Sequence, residues 1–102
     1  MLSIITIPCR NKKEAVTIAR ALLKKKLIAC ANFWPADSIY WWKNKIVTSR
    51  EVVLSCKTVA RNVTATTKLI ERLHSYETPV ITVEKVASNK KALEWANEVL
   101  NH

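Results

Sequence analysis

The groups able to hold a metal ion or start a reaction are few: three cysteines, two histidines and eight carboxylates. His74 and Glu77 stand i, i+3 around the end of an expected helix, and with a thiolate such as Cys30 they would make a sulfur, nitrogen and oxygen donor set suited to Cu²⁺ or Zn²⁺. Cys30 follows two apolar residues, so a buried, inert thiol is the competing reading, and Cys56 shares a strand face with Val52 and Leu54 in the same way. Glu51 and Lys57 also share a strand face, six residues apart, a spacing that lets them serve different subunits. Tyr40, Trp41 and Trp42 precede a hairpin tip, where aromatic residues act as interface anchors more often than as ligand platforms. Trp34 and Trp95 read as packing residues, and His102 carries no signal.

Several chemistries lack their parts. The cysteine count is odd, the spacing wide, and no C-x-x-C occurs, which argues against a disulfide framework or zinc knuckle and for a reducing cytoplasm. A soft-metal chaperone of this size would carry two cysteines after the first strand; only Cys9 is there. The chain contains no glycine, so neither a glycine-rich phosphate cradle nor an RNA-recognition motif can be built. Turns that need positive φ must then use Asn, Asp or Lys, and the stiffer unfolded chain hints at heat tolerance. A net charge of +9 raises the question of nucleic acid. The lysines are scattered, however, except Lys24-Lys25-Lys26, which fall in the last turn of a helix where cations complement the macrodipole. No nucleic-acid partner is expected, and with no apolar run long enough for a bilayer, no membrane either. Cys30 as nucleophile with His74 as base would have no orienting carboxylate or oxyanion site, so a binding protein is expected rather than an enzyme.

These residues must be positioned by a single domain over residues 1–102. Ser3 to Ile7 reads as a buried strand ended by Pro8. Asn11 with Glu14 three residues later is a capping-box signature, opening a helix with Ala15, Ile18, Ala19 and Leu22 inward. Leu27 to Phe33 is a second strand, interrupted around Pro35 and resumed from Ser38 to Trp42. Lys43-Asn44 makes a tight turn into a third strand, Lys45 to Thr58. A helix over Arg61 to His74, a strand over Val80 to Val86 and a helix from Ser88 or Asn89 to Leu100 complete the chain. The order implies an α+β, ferredoxin-like βαββαβ unit with an additional C-terminal helix and a long hairpin between its second and third strands. Two helices cover one side of such a sheet, yet the first two strands are aliphatic on both faces. A partner must bury the other side, and oligomerisation is expected.

Four segments then carry a resemblance. Leu27-Ile28-Ala29-Cys30-Ala31-Asn32, Ser38 through Ile46, Glu51 through Thr58, and His74-Ser75-Tyr76-Glu77-Thr78-Pro79 resemble, in order, successive motifs of the CutA divalent-cation tolerance family. The resemblance spans the chain. It implies a homotrimer whose sheet edges pair and whose open faces meet centrally, with intersubunit clefts like those of PII signalling proteins. It maps metal-binding positions onto Cys30, Glu51 and His74, and other cleft positions onto Trp42, Lys57, Tyr76 and Glu77. No cofactor is obligatory; copper or another divalent ion is the implied ligand, and a small anionic metabolite held with the help of Lys57 is the alternative. Asn44 stands where the family usually has Gly, and Ser75 where it usually has Pro. The family's first-strand cysteine has its nearest candidate in Cys9, beyond Pro8, so that ligand is expected to be missing.

Overall fold

Ile5, Ile7 and Cys9 alternate with Ile4, Thr6 and Pro8 along β1 (Leu2–Cys9), and this period of two sorts the molecule into layers. The structure, a computed structural model, describes residues 1–101, with His102 outside them. On one face of β1, Ile5, Ile7 and Cys9 pack with Ile18 and Leu22 of α1 (Lys12–Lys24) and with Leu69 and Ile70 of α2 (Val63–Leu73). Leu54 and Cys56 of β3 (Lys45–Thr58) close the same core. Each large aliphatic side chain removed from water there contributes about 1.5–3 kcal/mol.

With β2 (Cys30–Trp42) and β4 (Thr82–Val86), the strands lie in the order β2-β3-β1-β4 and every pair is antiparallel. The last helix, α3 (Lys90–Leu100), goes to the other face. Leu2 and Val86, a register pair opposite in orientation to Ile5, pack there with Leu93, Ala96 and Leu100. The second face is thus covered at one end by the chain's own helix.

Both prolines expected to break strands lie within them. β4 pairs with β1 only from Leu2 to Thr6, so Pro8 has a neighbour on one flank alone and costs the ladder nothing on the other. Pro35 pairs with Val52 on β2, which is the sheet edge, and the strand runs through it uninterrupted. β2 starts at Cys30, not Leu27, because Leu27 to Ala29 close the preceding helix and dock: the Leu27 carbonyl accepts from Thr58 Oγ1 at 2.6 Å and from Asn62 Nδ2 at 3.2 Å. β4 starts at Thr82 rather than Val80, and a 3-10 turn over Ala60–Asn62 precedes α2.

The turns show how a chain without glycine manages. The Asn11 carboxamide oxygen accepts from the Glu14 amide at 2.9 Å and caps α1, a contact of about 1 kcal/mol. At the other end Lys26 takes φ 59°, with its amide on Leu23 O and the Leu27 amide on Leu22 O, both at 3.0 Å, which is a Schellman motif built on lysine. Lys43 and Asn44 both take positive φ, 48° and 65°, as a two-residue type I′ turn demands.

β2 and β3 outrun the sheet. β1 pairs with β3 only between Val52 and Thr58, so the stretch from Ala36 to Glu51 projects as a two-stranded arm, roughly 20 Å long. Ile39 and Trp41 are each 71% exposed on it and Ile46 62%.

Candidate metal centre and adjoining groove

Where α2 ends, the chain turns out at His74, whose extended backbone (φ −74°, ψ 140°) directs the ring inward. The ring is buried. Its Nδ1 accepts from the Tyr76 amide at 3.1 Å and its Nε2 lies 2.8 Å from the Pro8 carbonyl oxygen. One contact needs an unprotonated Nδ1 and the other a protonated Nε2, so the pair selects a single neutral tautomer.

Glu14 approaches from the first turn of α1. Its Oε1 accepts from the Arg10 amide at 2.8 Å and its Oε2 from the Ser75 amide at 2.9 Å, so one carboxylate ties the β1–α1 connection to the loop after α2. Burial pushes this carboxyl up, but the hydrogen bonds from Arg10 and Ser75 outweigh it and hold the group below the usual glutamate value. Cys9, the last residue of β1, is buried on the same side as Ile7. Its thiol is pushed up to about 12, first by burial and then by the charges of Glu14 and Glu51.

Donor atoms of Cys9, Glu14 and His74 all lie within 4.8 Å of one another. Thiolate, imidazole and carboxylate make a set that fits Cu²⁺ or Zn²⁺. His74 Nε2 is 3.9 Å from Glu14 Oε1, so the imidazole and carboxylate converge without touching. Loading an ion there requires Cys9 to lose its proton and the His74 proton to move from Nε2 to Nδ1, at the expense of the Pro8 and Tyr76 contacts.

Of the three metal positions inferred from sequence, only His74 belongs to this cluster. Glu51 lies close by at the base of the arm, where its Oε2 accepts from Tyr76 Oη at 2.7 Å. The Tyr76 phenol is pushed well above its ordinary value, by burial first and then by that hydrogen bond and the Glu51 charge. Within one chain Cys30 is not brought to the site. It pairs with Lys57, six residues down β3 from Glu51, about 20 Å away along the strand. Lys57 itself donates to Asn32 Oδ1 at 2.9 Å at that far end.

The other cleft residues do assemble. Trp42, Tyr76 and Glu77 line one groove of about 660 Å³ together with Tyr40, Glu51 and Arg10, and Lys57 is not part of it. Cys9 and Glu14 are the residues that sequence reasoning missed. Cys9 was discounted for standing beyond Pro8, but β1 continues through that proline. Glu14 carried a signal, its capping-box spacing, which explained the residue as a helix cap and hid its second bond to Ser75.

Comparison with known proteins places this geometry. The family model for the CutA1 divalent ion tolerance protein matches residues 3–99. A divalent-cation tolerance protein CutA from Archaeoglobus fulgidus is 34% identical over 98% of this chain and 99% of its own length. One from Thermotoga maritima is 41% identical over 86% and 88%. The mouse protein CutA is 39% identical over 91% of this chain, which spans about half of it (54%). Among solved structures, the A. fulgidus protein, described as a periplasmic divalent cation tolerance protein, superposes with a TM-score of 0.95 over 98% of this chain and 99% of its own. The Thermus thermophilus divalent cation tolerance protein is 32% identical and superposes with a TM-score of 0.90 over 96% and 97%. The chain therefore belongs to the CutA1 divalent-ion-tolerance family.

Proposed function

We propose that this protein binds a divalent cation, Cu²⁺ or Zn²⁺, through Cys9, Glu14 and His74, and does so as a homotrimer in a metal response. The observation that carries the reading is the convergence of sulfur, nitrogen and oxygen donors within 4.8 Å in a buried corner between β1, α1 and the end of α2. Membership of a divalent-ion-tolerance family supports the ligand class. The trimer is supported by the arm: an isolated two-stranded hairpin is marginal in water, and this one exposes Ile39, Trp41 and Ile46.

Equilibrium dialysis of the purified protein against Cu²⁺ or Zn²⁺ near neutral pH tests the site. One tightly bound ion per chain is expected, lost in Cys9→Ser and in His74→Ala and kept in Cys30→Ser. Stoichiometric binding that survives Cys9→Ser and His74→Ala together would refute the assignment.

A further inference from the structure

Folding gathers the basic residues onto one layer. Along the chain the lysines look scattered, and for that reason the sequence raises no expectation of a nucleic-acid partner. In the fold, residues 12–26 (α1 and its closing turn) and 61–73 (α2 and the turn before it) carry nine of the 17 basic residues and two of the 8 carboxylates. The rest of the chain is close to neutral, with eight basic residues against six acidic. The two helices lie side by side over one core. Asn62 Nδ2 reaches Lys26 O at 3.4 Å at one end, and the Ser75 amide reaches Glu14 Oε2 at 2.9 Å at the other. All nine cations are exposed. None lies within 4.0 Å of a carboxylate among the described residues. The layer shares no residue with the arm or with the groove at its base.

Helix electrostatics does not account for this layer. Lys24 to Lys26 suit the negative end of α1, but Lys12 and Lys13 occupy its first turn, where a cation opposes the macrodipole. Arg20 with Lys24, and Lys68 with Arg72, are like charges at i, i+4, which weaken a helix. α3 also opens on two lysines, yet answers them with Glu94 and Glu98, the first of them 3.9 Å from Lys90. Cations kept at the expense of the helix that carries them point to an anionic partner.

We propose that this layer binds double-stranded DNA through its phosphates, without regard to sequence. A duplex presents one negative charge about every 1.7 Å of its axis, and Lys13, Arg20 and Lys24 follow one another along α1 at intervals of about 10 and 6 Å. Neither segment contains an aromatic residue, so the stacking that grips single strands is absent. An RNA duplex is held at its 2′-hydroxyls as well, and the one hydroxyl of α1, on Thr17, is turned back onto Lys13 O at 2.8 Å. A bilayer fits less well. An interfacial helix sinks its apolar stripe into lipid, and here Ile18, Leu22, Leu69 and Ile70 are committed to the core.

Fluorescence anisotropy of a short labelled DNA duplex, titrated with the full chain in EDTA, tests this apart from the metal centre. A Kd of about 1–100 μM is expected near physiological salt, the same for unrelated sequences, with log K falling against log salt at a slope of about −4 to −6. The triple variant Lys13→Gln, Arg20→Gln, Lys24→Gln should weaken binding about tenfold or more and flatten the slope by about 2–3. Lys68→Gln with Arg72→Gln, flattening it by about 1–2, serves if the triple variant does not fold. Lys90→Gln with Lys91→Gln removes the same charge from α3 and should change affinity less than about twofold. No binding up to about 100 μM chain, or an unchanged slope in the α1 and α2 variants, overturns the proposal. So does an equal loss in the α3 variant, which would make net charge the whole cause. Tighter binding to an RNA duplex or to phosphatidylserine vesicles overturns it too.

Discussion

Replacing Glu14 by glutamine tests whether that side chain holds two parts of the fold together. The carboxylate accepts one amide on each oxygen, from Arg10 and from Ser75, 61 residues away in sequence. Glutamine has nearly the same shape but one acceptor oxygen, so one of the two amides must face its NH₂ group. Loss of a bond to a charged acceptor in a half-buried place costs about 1.5–3 kcal/mol. At about 4–8 °C per kcal/mol for a chain of this size, the midpoint should fall by roughly 6–24 °C. Urea unfolding at several pH values supplies a sharper signature. Because the folded-state carboxyl lies below its ordinary value of 4.5, its stabilisation is complete above that value and disappears as pH falls through the depressed folded one. The gap between wild type and Glu14→Gln should therefore be widest near neutrality and shrink below about pH 4.5. An unchanged urea midpoint, or a gap that stays constant from pH 7 down to pH 3, would refute the double-amide account.

Three other outcomes are expected. Because Cys9 must be deprotonated from a thiol held near 12, metal affinity measured by competition with a chelator of known pH response should rise about tenfold per pH unit between pH 7 and pH 9. Lys26→Gly should raise the urea midpoint by an amount worth about 1 kcal/mol, since lysine occupies a left-handed position at φ 59° that glycine adopts freely. Trp41→Asp, at a site 71% exposed in the single chain, should leave the fold intact by circular dichroism yet shift native mass spectra from the proposed trimer to monomer.

Periodicity was enough to recover the succession of strands and helices along the chain, because each element's apolar stripe is continuous: Ala15, Ile18, Ala19 and Leu22 on α1 all reach the core. The hairpin was legible to the residue, since Lys43-Asn44 stands between two extended runs and Asn44 tolerates the left-handed region that it takes. The proline positions were not legible, because whether Pro8 or Pro35 breaks a strand depends on which flank is bonded, and that is a property of strand order. The same limit governed the site. His74 and Glu51 could be picked out as chemical groups, but Cys30 and Cys9 are distinguishable only once the register sets Cys30 opposite Lys57 and Cys9 opposite Val52. Likewise the assignment of α3 to the second face rests on Leu2 and Val86 pairing across strands far apart in sequence.

The arm between β2 and β3 also bears on how the polypeptide reaches its final shape. Every residue of β2 pairs with a partner across a two-residue turn, so this ribbon can zip outward from Lys43-Asn44 with little loss of loop entropy, on the microsecond scale of hairpins. β1 and β4 must instead close the long excursion between Thr6 and Thr82, the slower kind of event. The ribbon's contacts are thus the ones closed at least entropic cost, and because its aromatic flanks stay bare in the single chain, unfinished chains crowded together during synthesis meet through it first.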